Sequence, residues 1–219
     1  MKRISTLLRL LTLSVPALAA SAAHANLLTN GSFEAGNFVN QGNDTMSLAA
    51  GSTVITGWTV ITDTTAWIGP ANPFGLSASE GSYFLDLTNY QAGTPFAGVA
   101  QTIATTPGST YALTFDLGGS TFWGRPDSIT ASAAGTSATF ATPTTGTNND
   151  WYHESLLFVA NSSSTTVQLQ GFAGFNYIGL DNVSVDFVSA APIPEPGVWA
   201  LMVVGLLPLV ATTRRRNTR

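Results

Sequence analysis

From Asn26 to Ala190 the apolar residues recur every second position, not every three or four. In the run from Tyr111 to Leu117 the odd positions Tyr111, Leu113, Phe115 and Leu117 are all apolar, which describes a strand with one buried face. Nine such runs are separated by Gly, Asn, Pro and Asp: Thr53–Ile61, Ser82–Leu87, Gly98–Thr105, Thr110–Leu117, Ser128–Ala133, Ala138–Thr142, His153–Ala160, Thr165–Phe172 and Ile178–Phe187. This pattern predicts an all-β fold, a two-sheet jelly-roll sandwich, occupying residues 26–190 as one domain. Near its end, an inward row of Val183, Val185 and Phe187 places Asp181 on the inward face as well. A carboxylate there needs a partner.

The flanks follow different rules. Lys2, Arg3 and Arg9 precede or punctuate an apolar run to Ala20, and Ala23-His24-Ala25 is a small-x-small cleavage site. Residues 1–25 therefore read as a signal peptide, with the exported chain starting at Asn26. At the other end a Pro-rich linker, residues 191–197, carries Pro194-Glu195-Pro196. It leads into the apolar residues 198–213, a predicted transmembrane helix that contains Pro208. Arg214, Arg215 and Arg216 follow as a basic cytoplasmic stop.

The order of acidic proline motif, apolar stretch and basic stop resembles the PEP-CTERM sorting signal, the tail by which Gram-negative bacteria hand secreted proteins to an exosortase. The resemblance implies that exosortase is a partner and cuts at or near Pro194, Glu195 and Pro196. It implies a transient inner-membrane stage and a destination at the cell surface or in the extracellular polysaccharide matrix of a biofilm. The alternative is a permanent anchor that holds the domain at the periplasmic face. That accounts for the helix and arginines but not for the Pro-Glu-Pro.

Charge narrows the function classes. The whole chain has a formal charge of −4. Between Asn26 and Ala190, however, Arg125 is the only basic residue against eleven acidic ones, a net −10. Such a domain repels phosphate backbones, which excludes nucleic acid as a partner. It favours solubility and divalent cations. The chain has no cysteine, and residues 26–190 have no lysine and one histidine, His153. Disulfides, Schiff-base lysines, His-cluster zinc sites and Cys-His nucleophiles are thereby excluded. Paired carboxylates remain. Asp150 and Glu154 share a strand face ~13 Å apart at ~3.3 Å per residue. Glycosidase pairs stand roughly 5–9.5 Å apart. The chain is read as non-enzymatic, and these residues with His153 as a polar strand edge.

A sugar site needs aromatic faces and a few polar groups. Trp67, Phe74, Tyr90, Phe122 and Trp123 lie in Gly/Pro/Asn-rich segments that predict loops. Trp67, Tyr90, Trp123 and Arg125 form the candidate ligand set. Arg125 either pairs with Asp127 or reaches an anionic ligand such as an acidic polysaccharide. Trp58 and Trp151, beside strand-like runs, are expected to anchor the core. No regular Thr-x-Thr ladder supports ice binding.

Three motifs occur in order: Asn30-Gly31-Ser32-Phe33-Glu34 with Gly57-Trp58, then Gln101 with the run Gly108–Phe115, then Gly179-Leu180-Asp181-Asn182-Val183-Ser184-Val185. Together they resemble the galactose-binding-like jelly-roll superfamily, which includes many carbohydrate-binding modules and plant cell-wall domains. The resemblance implies a glycan-binding or matrix module. A structural surface protein without a small ligand is the alternative. An exposed aromatic platform favours the first, and buried aromatics under a smooth Thr-rich surface favour the second. The resemblance also implies a structural calcium held by Glu34 and Asp181, tying the chain ends together. The competing expectation is that Glu34 accepts backbone hydrogen bonds in a turn while Asp181 caps a strand end.

Overall fold

The computed structural model describes residues 26–192 except Ala92, Arg125 and Asn148. The expected signal peptide with Ala23 and Ala25, the Pro194-Glu195-Pro196 motif, the apolar segment, Arg214 to Arg216, and Arg125 lie outside the described residues.

Eleven strands follow one another: β1 (Thr45–Leu48), β2 (Thr59–Ile61), β3 (Thr65–Ile68), β4 (Phe84–Asp86), β5 (Gly98–Ala104), β6 (Thr110–Gly119), β7 (Ser128–Ala133), β8 (Thr136–Ala141), β9 (Asp150–Val159), β10 (Ser164–Ala173) and β11 (Gly179–Ser189). They form a six-stranded sheet in the order β1-β3-β4-β11-β6-β9 and a five-stranded sheet in the order β2-β5-β10-β7-β8. Both sheets are antiparallel, and the all-β architecture is consistent with a jelly-roll sandwich. The nine expected strands correspond to β2 and β4 through β11.

The alternation along β6 does what the pattern requires. Tyr111, Leu113, Phe115 and Leu117 point between the sheets, into a buried cluster with Val99 and Ile103 of β5, Ile129 of β7 and Val167 and Leu169 of β10. Each fully buried side chain of this kind contributes about 1.5–3 kcal/mol relative to exposure.

Strands β1 and β3 have no counterpart among the expected runs. All four residues of β3 are buried, so it shows no polar–apolar alternation. The reason is a second covering layer. The chain between β3 and β4 folds back over the outer face of the six-stranded sheet, where Ala66, Ile68, Leu76, Phe84 and Tyr177 form a separate buried cluster. Ser77 fastens this flap, its carbonyl accepting from Trp151 Nε1 (3.0 Å) and its hydroxyl from Asn149 Nδ2 (2.6 Å).

The facing of Asp181 differs from the expectation. In the β11–β6 register Asp181 aligns with Asp116, but Ser184 aligns with Thr114, so β11 carries one extra residue between them. Asn182 absorbs it in the left-handed region, at φ 48°. This bulge resets the alternation. Leu180, Val183 and Val185 all reach the inter-sheet core, and Asp181 turns to the outer face beside Asp116.

The sequence motifs at the two edges of the domain meet. Leu27 N–H donates to Val185 O (2.9 Å), and Val183 N–H donates to Gly31 O (2.9 Å). Asn26 Oδ1 accepts from Val185 N–H (3.0 Å) while its Nδ2 donates to Val183 O (3.1 Å). Gly31 is required here, because a Cβ at that position would lie 1.9 Å from Val183 O. Trp58 Nε1 donates to Asn30 O (2.8 Å) and is buried, as expected of a core anchor.

Candidate functional site

The site grows from the C-terminal end of β4. Asp86 lies on the outer face and is fully buried. Its Oδ1 accepts from Thr88 N–H (2.9 Å), Thr88 Oγ1 (2.9 Å) and Ile178 N–H (3.0 Å). Its Oδ2 accepts from Tyr90 N–H (3.4 Å). One carboxylate thus fixes both the turn after β4 and the turn before β11. Burial lifts this carboxyl from 3.8 to about 6, against the opposing pull of those hydrogen bonds.

The turn itself is strained. Asn89 and Tyr90 take φ of 47° and 67°, a conformation that costs a side-chain-bearing residue on the order of 1 kcal/mol. The geometry sets Tyr90 against Phe74, with ring centroids 5.7 Å apart. Phe74 in turn meets Trp123 at 6.3 Å, and Trp123 meets Phe122 edge-on at 4.7 Å. A row of four aromatic rings therefore runs from the β4–β5 loop to the β6–β7 loop. Its ends are open, Tyr90 being 41% and Phe122 71% exposed.

Phe74, Tyr90 and Trp123 line a cleft of about 450 Å³. Asn43, Thr45, Asp86 and Asn176 line the same cleft, together with Ile68, Leu76 and Tyr177. The volume falls in the ~300–1,000 Å³ of small-ligand sites. Trp123 Nε1 is buried and has no acceptor among the described residues. An unmet buried donor of this kind costs about 1–3 kcal/mol.

Of the candidate ligand set, the fold brings Tyr90 and Trp123 together. It removes Trp67, which is 1% exposed and donates from Nε1 to Phe33 O (3.1 Å). Trp67 sits in β3, facing Phe38 and Tyr83, while its neighbours Ala66 and Ile68 face the cleft side. The flap over β3 makes this segment a strand rather than a loop. Asp127, the suggested partner of Arg125, is fully buried just before β7. Trp151 is half-buried under the flap. Asp86, Asn43, Thr45 and Asn176 were not singled out by sequence. The Asp86-Leu87-Thr88 turn signature was available for the first of them.

Glu34 and Asp181 work on one loop. Glu34 Oε1 accepts from Ser82 N–H (2.8 Å) and Tyr83 N–H (2.7 Å). Asp181 Oδ2 accepts from Ser79 N–H (2.8 Å) and Glu80 N–H (3.0 Å), and its Oδ1 from Asn182 N–H (2.7 Å). Burial lifts the Asp181 carboxyl to about 7, with these bonds opposing. A calcium ion wants six to eight oxygens. Here amide donors face the carboxylates, and no three His, Cys, Asp or Glu gather into a metal-holding group among the described residues. The two carboxylates join the chain ends through a shared loop.

On β9, His153 Nδ1 meets Asp116 Oδ1 at 2.7 Å, and Asn182 Nδ2 donates to Asp116 Oδ2 (3.0 Å). Asp150 accepts from the Thr147 backbone and hydroxyl. By strand alternation His153 stands on the face opposite Asp150 and Glu154.

The fold is thus an all-β sandwich with a cleft on its outer face lined by aromatic, hydroxyl and amide groups. Residues 26–174 match the family described as "Protein of unknown function (DUF642)". The chain belongs to that family. Among curated proteins none matches. Solved structures similar in shape include a family 35 carbohydrate binding module from Clostridium thermocellum, at 13% identity and TM-score 0.41, covering 67% of this chain and 93% of that one. TmCBM61 in complex with beta-1,4-galactotriose matches at 19% identity and TM-score 0.43, covering 75% and 99%. A CBM4 structure matches at 16% and 0.43, covering 74% and 99%. At these values the likeness carries no argument about ligand, which rests on the residues of the cleft.

Proposed function

We propose that this protein is an exported glycan-binding module whose ligand occupies the cleft lined by Phe74, Tyr90, Trp123, Asp86, Asn43 and Asn176. The observation that carries this reading is that aromatic rings in mutual contact and polar side chains line one cleft of about 450 Å³. Ring faces take the C–H side of a pyranose, and amide, hydroxyl and carboxylate groups take its hydroxyls. The exposed ends of the row favour a glycan binder over an inert surface protein. The described lining includes the carboxyl group of Asp86. Pro194-Glu195-Pro196 with its apolar and basic sequel supports sorting by exosortase to the cell surface or matrix.

A glycan array followed by calorimetry tests the site. Trp123→Ala is expected to weaken binding of an oligosaccharide at least about tenfold, while Phe172→Ala, at an exposed ring on β10 outside the cleft, leaves it unchanged. Equal affinity in wild type and Trp123→Ala removes the cleft as the site. No binding to any glycan returns the protein to the structural class.

A further inference from the structure

The charges of this domain are segregated. Strands β2, β5, β7, β8 and β10 contain no Asp, Glu, Lys, Arg or His, so the whole five-stranded sheet is uncharged. Its outer face carries hydroxyl pairs instead, Thr102 with Thr166 (2.8 Å) and Thr130 with Thr139 (2.9 Å).

One edge of that sheet is β8. It pairs with β7 through six consecutive residues without a bulge, closed by Ala134 and Gly135 at φ 51° and 84°. That is the two-residue turn that matches strand twist. No described residue hydrogen-bonds to the backbone on the far side of β8. An open row of N–H and C=O groups is a template for another strand, and proteins normally block it with charge, proline, a bulge or brevity. The other edges are blocked in these ways. Strand β9 carries Asp150, His153 and Glu154, and β1 and β2 have four and three residues. The six residues Thr-Ser-Ala-Thr-Phe-Ala of β8 have no such device.

We infer that β8 is a self-association edge, pairing antiparallel with β8 of a second copy of this chain. Two domains of net −10 repel one another over most of their surfaces, and the sheet with no charged strand residue is where that repulsion is least, the charged strand β9 of the other sheet running near β8. A two-fold axis across β8 satisfies both open edges at once and joins two five-stranded sheets into one of ten. Ser137, Thr139 and Ala141, exposed on the outer face, then lie beside the same residues of the partner.

Sedimentation velocity on the full chain in mild detergent reads the association. Thr139→Lys places like charges beside each other and is expected to weaken the dimer at least about tenfold, with the far-UV circular dichroism of the monomer unchanged. The chain has no cysteine, so single cysteines report position cleanly. Among Ser137→Cys, Thr139→Cys and Ala141→Cys at least one is expected to oxidise to a covalent dimer, and Thr59→Cys on the opposite edge is expected not to. A monomeric wild type overturns the inference. So does a dimer that survives Thr139→Lys, since it is held elsewhere, as by the apolar tail, and so does cross-linking no better on β8 than at Thr59.

Discussion

Single residues set the geometry of the cleft, and Asp86 has the widest reach. Its carboxylate holds two turns and faces the ligand space, at the cost of burial. Both Asp86 and Asp181 keep a proton in the folded state well above the pH at which an unfolded aspartate loses it. Between those limits the native state binds more protons than the unfolded state, so stability falls as pH rises from about 4 to about 7. For Asp86 the change is roughly 3 kcal/mol, and the domain is expected to melt higher near pH 5 than near pH 8. Asp86→Asn is expected to flatten that dependence. A melting temperature that rises between those pH values contradicts the assignment. Gly31 acts through space rather than charge. Gly31→Ala presses a methyl group into Val183 O and is expected to cost about 3 kcal/mol, read by denaturant unfolding.

At the scale of elements, the nine runs with alternation were legible and correspond to strands. The two that were not legible have physical reasons. Strand β3 is covered on both faces, so its pattern is continuous burial, and this also disguised Trp67 as a loop aromatic. Strand β1 is four residues long. Asp181 was assigned the wrong face because one bulged residue at Asn182 reverses every later position. Tyr90 and Trp123 were legible as loop aromatics, and the fold brings both to one cleft. Asp86 and the two asparagines were not singled out, because only the fold places them in that cleft. The flap loop of residues 79–83 yields its own test. Asp181→Asn is expected to speed amide exchange at Ser79 and Glu80, and Glu34→Gln at Ser82 and Tyr83. Millimolar calcium is expected to leave the melting temperature in place. A rise of several degrees would show that the loop rearranges to admit the ion.

For the whole molecule, the division of labour follows the sheets. The six-stranded sheet carries the flap, the cleft and the charged strand residues, and the five-stranded sheet carries none of that charge. The tail is a separate instruction, and its reading has a separate measurement. Intact mass from the native host is expected to lack residues 1–25 and those beyond the Pro-Glu-Pro region when exosortase is present. A mass ending at Arg219 with and without exosortase makes the tail a plain anchor.

The path of β11 has a mechanical consequence. The strand begins beside Asn176 and Tyr177 at the cleft and runs out toward the tail, flanked by β4 and β6 and clipped by the first residues of the domain. A ligand held in the cleft and a tether leaving through the tail would pull on this strand from opposite ends. The load then falls along its length, on many ladder bonds in parallel rather than one after another. A sandwich stretched in that direction resists by shear, the geometry in which a sheet bears tension instead of unzipping.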